Sequence, residues 1–227
     1  MLMNKEACRF PCRMVLALSF VFYTTIGQAA GVLGEPSESL DPKDYRAVTF
    51  KDIAPTVYEL SGDSLLMNVK SSASALVHAY KDPRKIWRMH FAWKLEGIVK
   101  TNDQKHEQSK KGDDLPLRLG LIVSGAAPTV PFFAPAWIKA VADTLHHPSN
   151  RMVYFAAGAK TPPGQKWDSP YASSLENRSV SGTKDSDGWE VIDASFETFD
   201  VVGLWIMADG DNTDSVFVTK LKGLRFN

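Results

Sequence analysis

Two clusters of acidic residues carry the side chains best suited to chemistry in this chain. The first, Gly112-Asp113-Asp114, directly precedes an apolar segment. Paired carboxylates at a suitable separation act as general acid and base in glycoside cleavage. Asp113 and Asp114 are therefore the catalytic candidates, with His90 as a further acid or base.

The second cluster, Asp209 to Asp214, lies between two apolar segments and is rich in oxygen-bearing side chains. We expect no cofactor, and Ca²⁺, which takes six or more oxygen ligands, is the alternative that these side chains leave open. The segment lacks the glycine at position six and the glutamate at position twelve of the helix-flanked calcium loop. Asp, Gly and Asn are also what a hairpin turn requires, so a plain turn stays the alternative. The candidate metal ligands are Asp209, Asp211, Asn212 and Asp214.

A polar sheet face is the candidate binding surface. In Lys85–Leu95, alternation predicts that Trp87, Met89 and Phe91 point into the core while Arg88 and His90 point outward. If this segment shares a sheet with Ala73–Tyr80 and Leu115–Ser124, five polar side chains gather on its outer face. The predicted ligand-binding residues are His78, Tyr80, Arg88, His90 and Arg118.

This combination of side chains is suited to a sugar or a carboxylate. Guanidinium groups bind oxyanions through a flat fork, and aromatic rings stack on apolar ligand faces. Trp205 or Trp167 would add a further aromatic plane. An ordinary solvated sheet face is the alternative interpretation of the same pattern.

Other catalytic motifs are absent from the sequence. It contains no Gly-x-Ser-x-Gly elbow, no His-Glu-x-x-His helix and no Gly-x-x-x-x-Gly-Lys phosphate loop. The absence favours binding over catalysis.

Short apolar segments separated by turn residues predict a mostly β fold. The residues of Pro135–Leu145 recur at helical spacing and predict one short amphipathic helix near 135–145. Many short strands with few helices favour a two-sheet antiparallel sandwich of the jelly-roll type. The predicted strands are Arg46–Ile53, Thr56–Leu60, Ser64–Val69, Ala73–Tyr80, Lys85–Leu95, Leu115–Ser124, Arg151–Ala157, Ser174–Ser181, Val201–Ala208, Val216–Lys220 and Leu224–Phe226.

The first 29 residues have the three parts of a secretory signal peptide. Lys5, Arg9 and Arg13 precede an apolar run, Met14–Ile26, and small residues follow it, with Ala29 at the expected cleavage site. The run is shorter than the roughly 20 residues of a membrane-spanning helix. We therefore expect a periplasmic or secreted protein, with an uncleaved anchor as the alternative.

Removing the leader changes the composition of the chain. Both cysteines lie within it, so the mature part has no disulfide or thiol chemistry. It also takes away three of 26 basic and one of 26 acidic residues, leaving a net charge near −2. That balance gives no reason to expect nucleic acid as a partner. We expect a flexible segment over residues 30–45 after the signal peptide. A single domain without a membrane span then covers residues 46–227.

Several motifs occur in an order that resembles the bacterial exported family called domain of unknown function 3047 (DUF3047). They include Trp87 with Phe91-Ala92-Trp93-Lys94, the run Gly112 to Arg118, and the run Val202 to Thr213. Two features depart from the family pattern: Tyr154-Phe155-Ala156 replaces Tyr-Val-Trp, and the segment after Trp189 is compressed. The resemblance implies a β-rich exported domain and supplies no reaction. The motif positions it emphasises are Asp113, Asp114, Arg118, Asp209, Asp211 and Asn212.

These observations favour an exported binding module for a carbohydrate or other polar ligand, with Asp113 and Asp114 holding Arg118 in place. A glycan-cleaving hydrolase or lyase that uses the Asp carboxylates is the first alternative. An envelope domain that binds another protein is the second. The sequence does not give the oligomeric state.

Overall fold

The computed structural model describes residues 37–126 and 135–227, and strands dominate both ranges. The prediction of a mostly β chain is confirmed. The strands are β1 (Arg46–Thr49), β2 (Val57–Ser61), β3 (Ser64–Lys70), β4 (Ser74–Ile98), β5 (Leu117–Ser124), β6 (Ser149–Ala157), β7 (Lys166–Ser169), β8 (Ala172–Val180), β9 (Thr183–Lys184), β10 (Glu190–Met207) and β11 (Val216–Phe226). The helices are α1 (Gln104–Glu107) and α2 (Ala136–Thr144), and Pro42–Asp44 forms one 3₁₀ turn.

The described strands form one mixed sheet in the order β2-β3-β11-β4-β10-β5-β6-β8-β7. Strand β1 also pairs with β4, and β9 pairs with β10. All of these pairs are antiparallel except β6 with β8. The predicted arrangement was two antiparallel sheets. The hydrogen bonds instead run through a single sheet, because the long strands β4 and β10 continue from one half of it into the other.

The main hydrophobic core lies on one face of this sheet. Side chains from β3 and β11, such as Leu65 and Leu221, belong to the same buried cluster as Leu119 of β5 and Phe155 of β6. These strands are far apart in the strand order, so the sheet curves around the cluster. We call this cluster the inner core.

A second, smaller cluster lies on the opposite face of the same strands. It contains Val77, Ile122 and Trp205, with Val141 of α2 packed against them. The predicted helix near 135–145 is confirmed as α2. Because successive side chains of a strand point to opposite faces, Leu117, Leu119 and Leu121 face the inner core while Arg118 faces the second cluster.

The sequence places Trp87 in the core, and this expectation is wrong. Trp87 is 44 % exposed, whereas Ile86 before it and Met89 after it are buried. The N–H groups of Trp87 and Arg88 both donate to the carbonyl oxygen of Asn227. Two residues therefore face one partner, as in a β-bulge, and the bulge shifts the alternation by one residue.

Two segments predicted from the sequence lie wholly or partly outside the described residues. They are the predicted signal peptide, residues 1–29, and residues 30–36 of the predicted flexible segment 30–45. Within the described ranges, no helix has the length and apolar character needed to cross a membrane.

Candidate ligand-binding site

A pocket of about 510 Å³ opens on the face of the sheet that carries the second cluster. Small-molecule sites typically enclose roughly 300–1,000 Å³. The strands supply most of its wall and α2 supplies one side. The described lining residues are Phe50, Ile53, Ala73, Asp113, Arg118, Pro135, Trp137, Ile138, Tyr154, Ser169, Tyr171, Ala172, Ser174, Leu175, Asn177, Trp205, Met207, Asp209, Asp211 and Asn212.

Aromatic rings form much of the pocket wall, with Trp205 at their centre. Its ring centroid lies 6.1 Å from Tyr154, 6.2 Å from Trp137 and 6.4 Å from Phe50. Tyr171 is 54 % exposed, which leaves its ring accessible to solvent. The half-buried ring of Trp137 and the exposed ring of Tyr171 offer flat apolar faces on which a ligand can stack.

Gly120 makes room for this arrangement. A Cβ atom at position 120 would lie 2.9 Å from Cβ of Trp205 and 3.0 Å from the ring of Tyr154. Any larger residue would have to displace one of the two rings. The position of the aromatic wall therefore depends on a glycine in β5.

The polar part of the pocket is built around Arg118, which is 5 % exposed. One terminal nitrogen, Nη1, donates to Oδ2 of Asp209 at 2.8 Å. The other, Nη2, donates to Oδ1 of Asp113 at 2.7 Å and to the Asp113 carbonyl oxygen at 2.8 Å. Asp209 also accepts from the Leu115 N–H at 3.1 Å, which links the two acidic clusters.

Asp114 has a different role from its neighbour Asp113. Its oxygens accept from the N–H of Asn212 at 3.1 Å, and from the N–H and hydroxyl of Thr213 at 2.7 and 2.6 Å. The second acidic cluster is thus a turn between β10 and β11, held by Asp114. The turn interpretation of this segment agrees with the structure.

The carboxylates around Arg118 are held in a weakly solvated site. Burial raises the pKa of Asp113 to about 6, against the opposing charge of Arg118 and with help from nearby carboxylates. Burial also raises the pKa of Asp209 well above its ordinary value, and that of Asp211 more modestly. One guanidinium does not fully compensate the negative charge gathered here.

Several buried polar atoms at the pocket lack a partner in the described part of the chain. Both amide atoms of Asn177, a residue only 1 % exposed, accept or donate no hydrogen bond. The indole Nε1 of Trp205 and the Nε of Arg118 are likewise unpaired. Buried polar groups are normally satisfied, and each exception needs a reason. Asn177, Trp205 and Arg118 all line the pocket.

The structure does not bring the five predicted ligand-binding residues to one face. Tyr80 belongs to the inner core and His78 is in ring contact with it, so both lie on the face opposite Arg118. The prediction assumed a shared outer face. Pairing through Met207 instead places Arg118 on the face of Ala75, and His78 and Tyr80 alternate to the opposite face. Arg118 is the one predicted ligand-binding residue that lines the pocket.

Arg88 and His90 lie in a different part of the sheet. They pair with Ser195 and Asp193 in the first half of β10, whereas Arg118 pairs with Met207 at its end. Arg88 is exposed and donates twice to Asp193, at 2.7 and 2.6 Å.

The predicted metal ligands are also divided. Carboxylate oxygens of Asp114, Asp209 and Asp211 all lie within 4.8 Å of one another. Asp214 is exposed and lies outside this group. Asp114 is already engaged by the turn, and calcium binding stays a prediction.

Sequence reasoning missed Asn177, Tyr154, Trp137 and Tyr171 as pocket residues. Asn177 sits between Glu176 and Arg178 in a polar strand, where alternation gives no sign of burial. Tyr154 and Trp137 lie in elements that were predicted, whereas Tyr171 lies in the turn before β8. Only the topology brings these three segments to one pocket.

No curated protein matches the chain. A profile of the family described as protein of unknown function (DUF3047) matches residues 43–224, which is most of the chain. The match includes both acidic clusters, Arg118 and all the aromatic residues of the pocket wall. The chain therefore belongs to the DUF3047 family.

Proposed function

We propose that this protein is a binding module for a small hydroxyl-bearing ligand of the carbohydrate type, held in the aromatic-walled pocket. One observation carries the proposal. The Asn177 side chain is buried at the pocket, and neither of its amide atoms has a partner among the described residues. An unpaired buried amide costs roughly 1–3 kcal/mol, a cost that a ligand hydroxyl would remove.

The side chains around Asn177 suit a sugar. A pyranose ring has an apolar face that stacks on aromatic rings, and Trp137 and Tyr171 offer such surfaces. Its hydroxyls both donate and accept hydrogen bonds. Asp113 supplies an acceptor, the indole of Trp205 a donor and Asn177 one of each.

Binding is better supported than cleavage by the predicted pair of Asp113 and Asp114. A carboxylate pair needs one group free to donate a proton and another free to attack or to activate water. Asp114 is fully buried and holds the turn through three hydrogen bonds, and Asp209 is tied to Arg118 and to the backbone. The predicted pair Asp113 and Asp114 therefore lacks a second free carboxylate.

The proposal includes export to the periplasm, because the basic, apolar and small-residue segments of the first 29 residues match a secretory leader. Expression of the full chain in a bacterium, followed by N-terminal sequencing of the periplasmic fraction, tests this. We expect mature protein that begins at Ala30. Full-length protein confined to the cytoplasm would contradict export.

Ligand binding is tested by thermal unfolding against a panel of mono- and oligosaccharides and organic acids. A ligand that binds only the native state raises the melting temperature. We expect at least one sugar to raise it in the wild type and in Arg88→Met, whose altered residue lies far from the pocket. Asn177→Leu should lose the effect. An equal rise in Asn177→Leu, or no rise with any sugar, would contradict the proposal.

A further inference from the structure

The balance of charge at the pocket indicates more about its ligand. The described residues that line it include three carboxylates, from Asp113, Asp209 and Asp211, and one guanidinium, from Arg118. The carboxylate of Asp114 lies directly behind, with an oxygen within 4.8 Å of those of Asp209 and Asp211. The nominal charge of the site is therefore negative.

Arg118 has little capacity left to neutralise this charge. Both of its terminal nitrogens already bind Asp209 and Asp113. Its Nη2 reaches only one oxygen of Asp113, Oδ1, so Oδ2 accepts no hydrogen bond from the described residues. Asp211 accepts a long contact, 3.4 Å, from the side-chain amide of its neighbour Asn212 and is half-buried, so it has room for further donors. Two carboxylates on the pocket wall thus have unfilled acceptor positions.

Two independent features point to a ligand that fills them. The first is the unpaired Asn177, whose carbonyl oxygen is a further acceptor without a donor. The second is the accessible rings of Trp137 and Tyr171, since aromatic faces attract cations within about 6 Å of the ring centroid. Lys110, an exposed residue, already places its Nζ 5.6 Å from the Tyr171 centroid. The pocket combines acceptors, negative charge and aromatic faces.

We propose that the ligand is an amino sugar with a free, protonated amine, and that the ammonium group binds at Asp113 and Asp211 beside the aromatic wall. This inference rests on the proposed function and specifies its ligand class. An ammonium group donates three hydrogen bonds and carries the charge that Arg118 cannot supply. A neutral sugar fills the same volume but leaves the carboxylates uncompensated.

The test compares three probes that share one ring: D-glucosamine, N-acetyl-D-glucosamine and D-glucose. Isothermal titration of the purified protein near pH 7 keeps Asp113 mostly ionised, since its pKa is about 6. We expect glucosamine to bind about tenfold or more tightly than either neutral probe, which corresponds to about 1.4 kcal/mol. Acetylation removes the charge without removing the ring, so the comparison isolates the ammonium group.

The variant pair Asp211→Asn and Asp214→Asn provides the matched control. Both residues lie in the same turn, but only Asp211 lines the pocket, and Asp214 is exposed. We expect Asp211→Asn to weaken glucosamine binding several-fold while leaving the neutral probes unchanged, and Asp214→Asn to bind as the wild type does.

The outcomes separate the two proposals. If glucose or N-acetylglucosamine binds as tightly as glucosamine, the ammonium inference is overturned and the proposed function stands. If both Asp variants weaken glucosamine equally, general electrostatics explains the preference, and the assignment to Asp211 is overturned. If none of the three binds and the sugar panel is also without effect, both proposals fail.

Discussion

Replacing Arg118 by methionine removes the one cation of the buried polar cluster while keeping a side chain of similar length. In the native protein its guanidinium compensates Asp113 and Asp209, and both residues are almost fully buried. Breaking a buried pair by removing one partner costs about 3–5 kcal/mol, because an uncompensated charge stays in the interior. A domain of this kind has a total stability of about 5–15 kcal/mol, so the loss is a large fraction of it.

The loss should depend on pH in a defined direction. Without Arg118 the folded-state pKa values of Asp113 and Asp209 rise further above their unfolded values. Stability from such groups is fully present below the unfolded pKa and is lost as pH rises through the folded pKa. Arg118→Met should therefore lose more stability at pH 8 than at pH 5, since protonated carboxyls at the lower pH need no cation.

Urea unfolding followed by tryptophan fluorescence at both pH values measures this effect. Arg88→Met is the matched control, because Arg88 makes an equally short double contact to Asp193 but on the exposed surface. Exposed pairs contribute little, so its loss should be much smaller at both pH values. The reasoning is refuted if Arg118→Met loses no more than Arg88→Met, or if its loss is the same at pH 5 and pH 8.

Three further predictions concern single residues of the site. Asn177→Leu should be as stable as the wild type or more stable in urea, because it removes an unpaired buried amide; a loss above about 2 kcal/mol would mean that the amide is satisfied. Gly120→Ala should lower the melting temperature and change the near-ultraviolet circular dichroism, since the new methyl group would lie 2.9 Å from Cβ of Trp205; an unchanged spectrum would contradict the close approach. In the wild type, the raised pKa of Asp113, about 6, makes the free energy of unfolding decline as pH rises from 4 to 7. Asp113→Asn should reduce this decline by up to about 3 kcal/mol. Identical pH profiles of the unfolding free energy in wild type and variant would refute this.

The sequence pattern predicted where strands and helices lie better than it predicted which face of a strand each side chain occupies. Alternation in β5 correctly separates Leu119, which faces the inner core, from Arg118, which faces the pocket. The same reasoning fails at Trp87 in β4. The bulge there forms because two N–H groups of β4 donate to the carbonyl oxygen of Asn227. The position of Asn227 cannot be deduced from the β4 sequence.

In the candidate site, too, contacts between neighbouring residues were predictable and contacts between distant segments were not. The pair of Asp113 with Arg118 is local and was expected from sequence. Asp209 lies 91 residues from Arg118, and its contact arises because β5 and the end of β10 are neighbours in the sheet. Asn177 could not be assigned to the pocket from the sequence, because its burial depends on the parallel pairing of β8 with β6. The residue types thus indicate which side chains can form the polar cluster, and the strand pairing decides which of them come into contact.

The indole N–H resonances of the protein test the central claim most directly. Trp205 has an unpaired Nε1 at the pocket, whereas Trp87 is exposed on a distant bulge. In a proton–nitrogen correlation spectrum assigned with Trp205→Phe and Trp87→Phe, D-glucosamine should shift the Trp205 signal saturably and leave Trp87 unchanged. Equal small drifts of both signals, or saturable movement of Trp87 alone, would contradict a ligand site in this pocket.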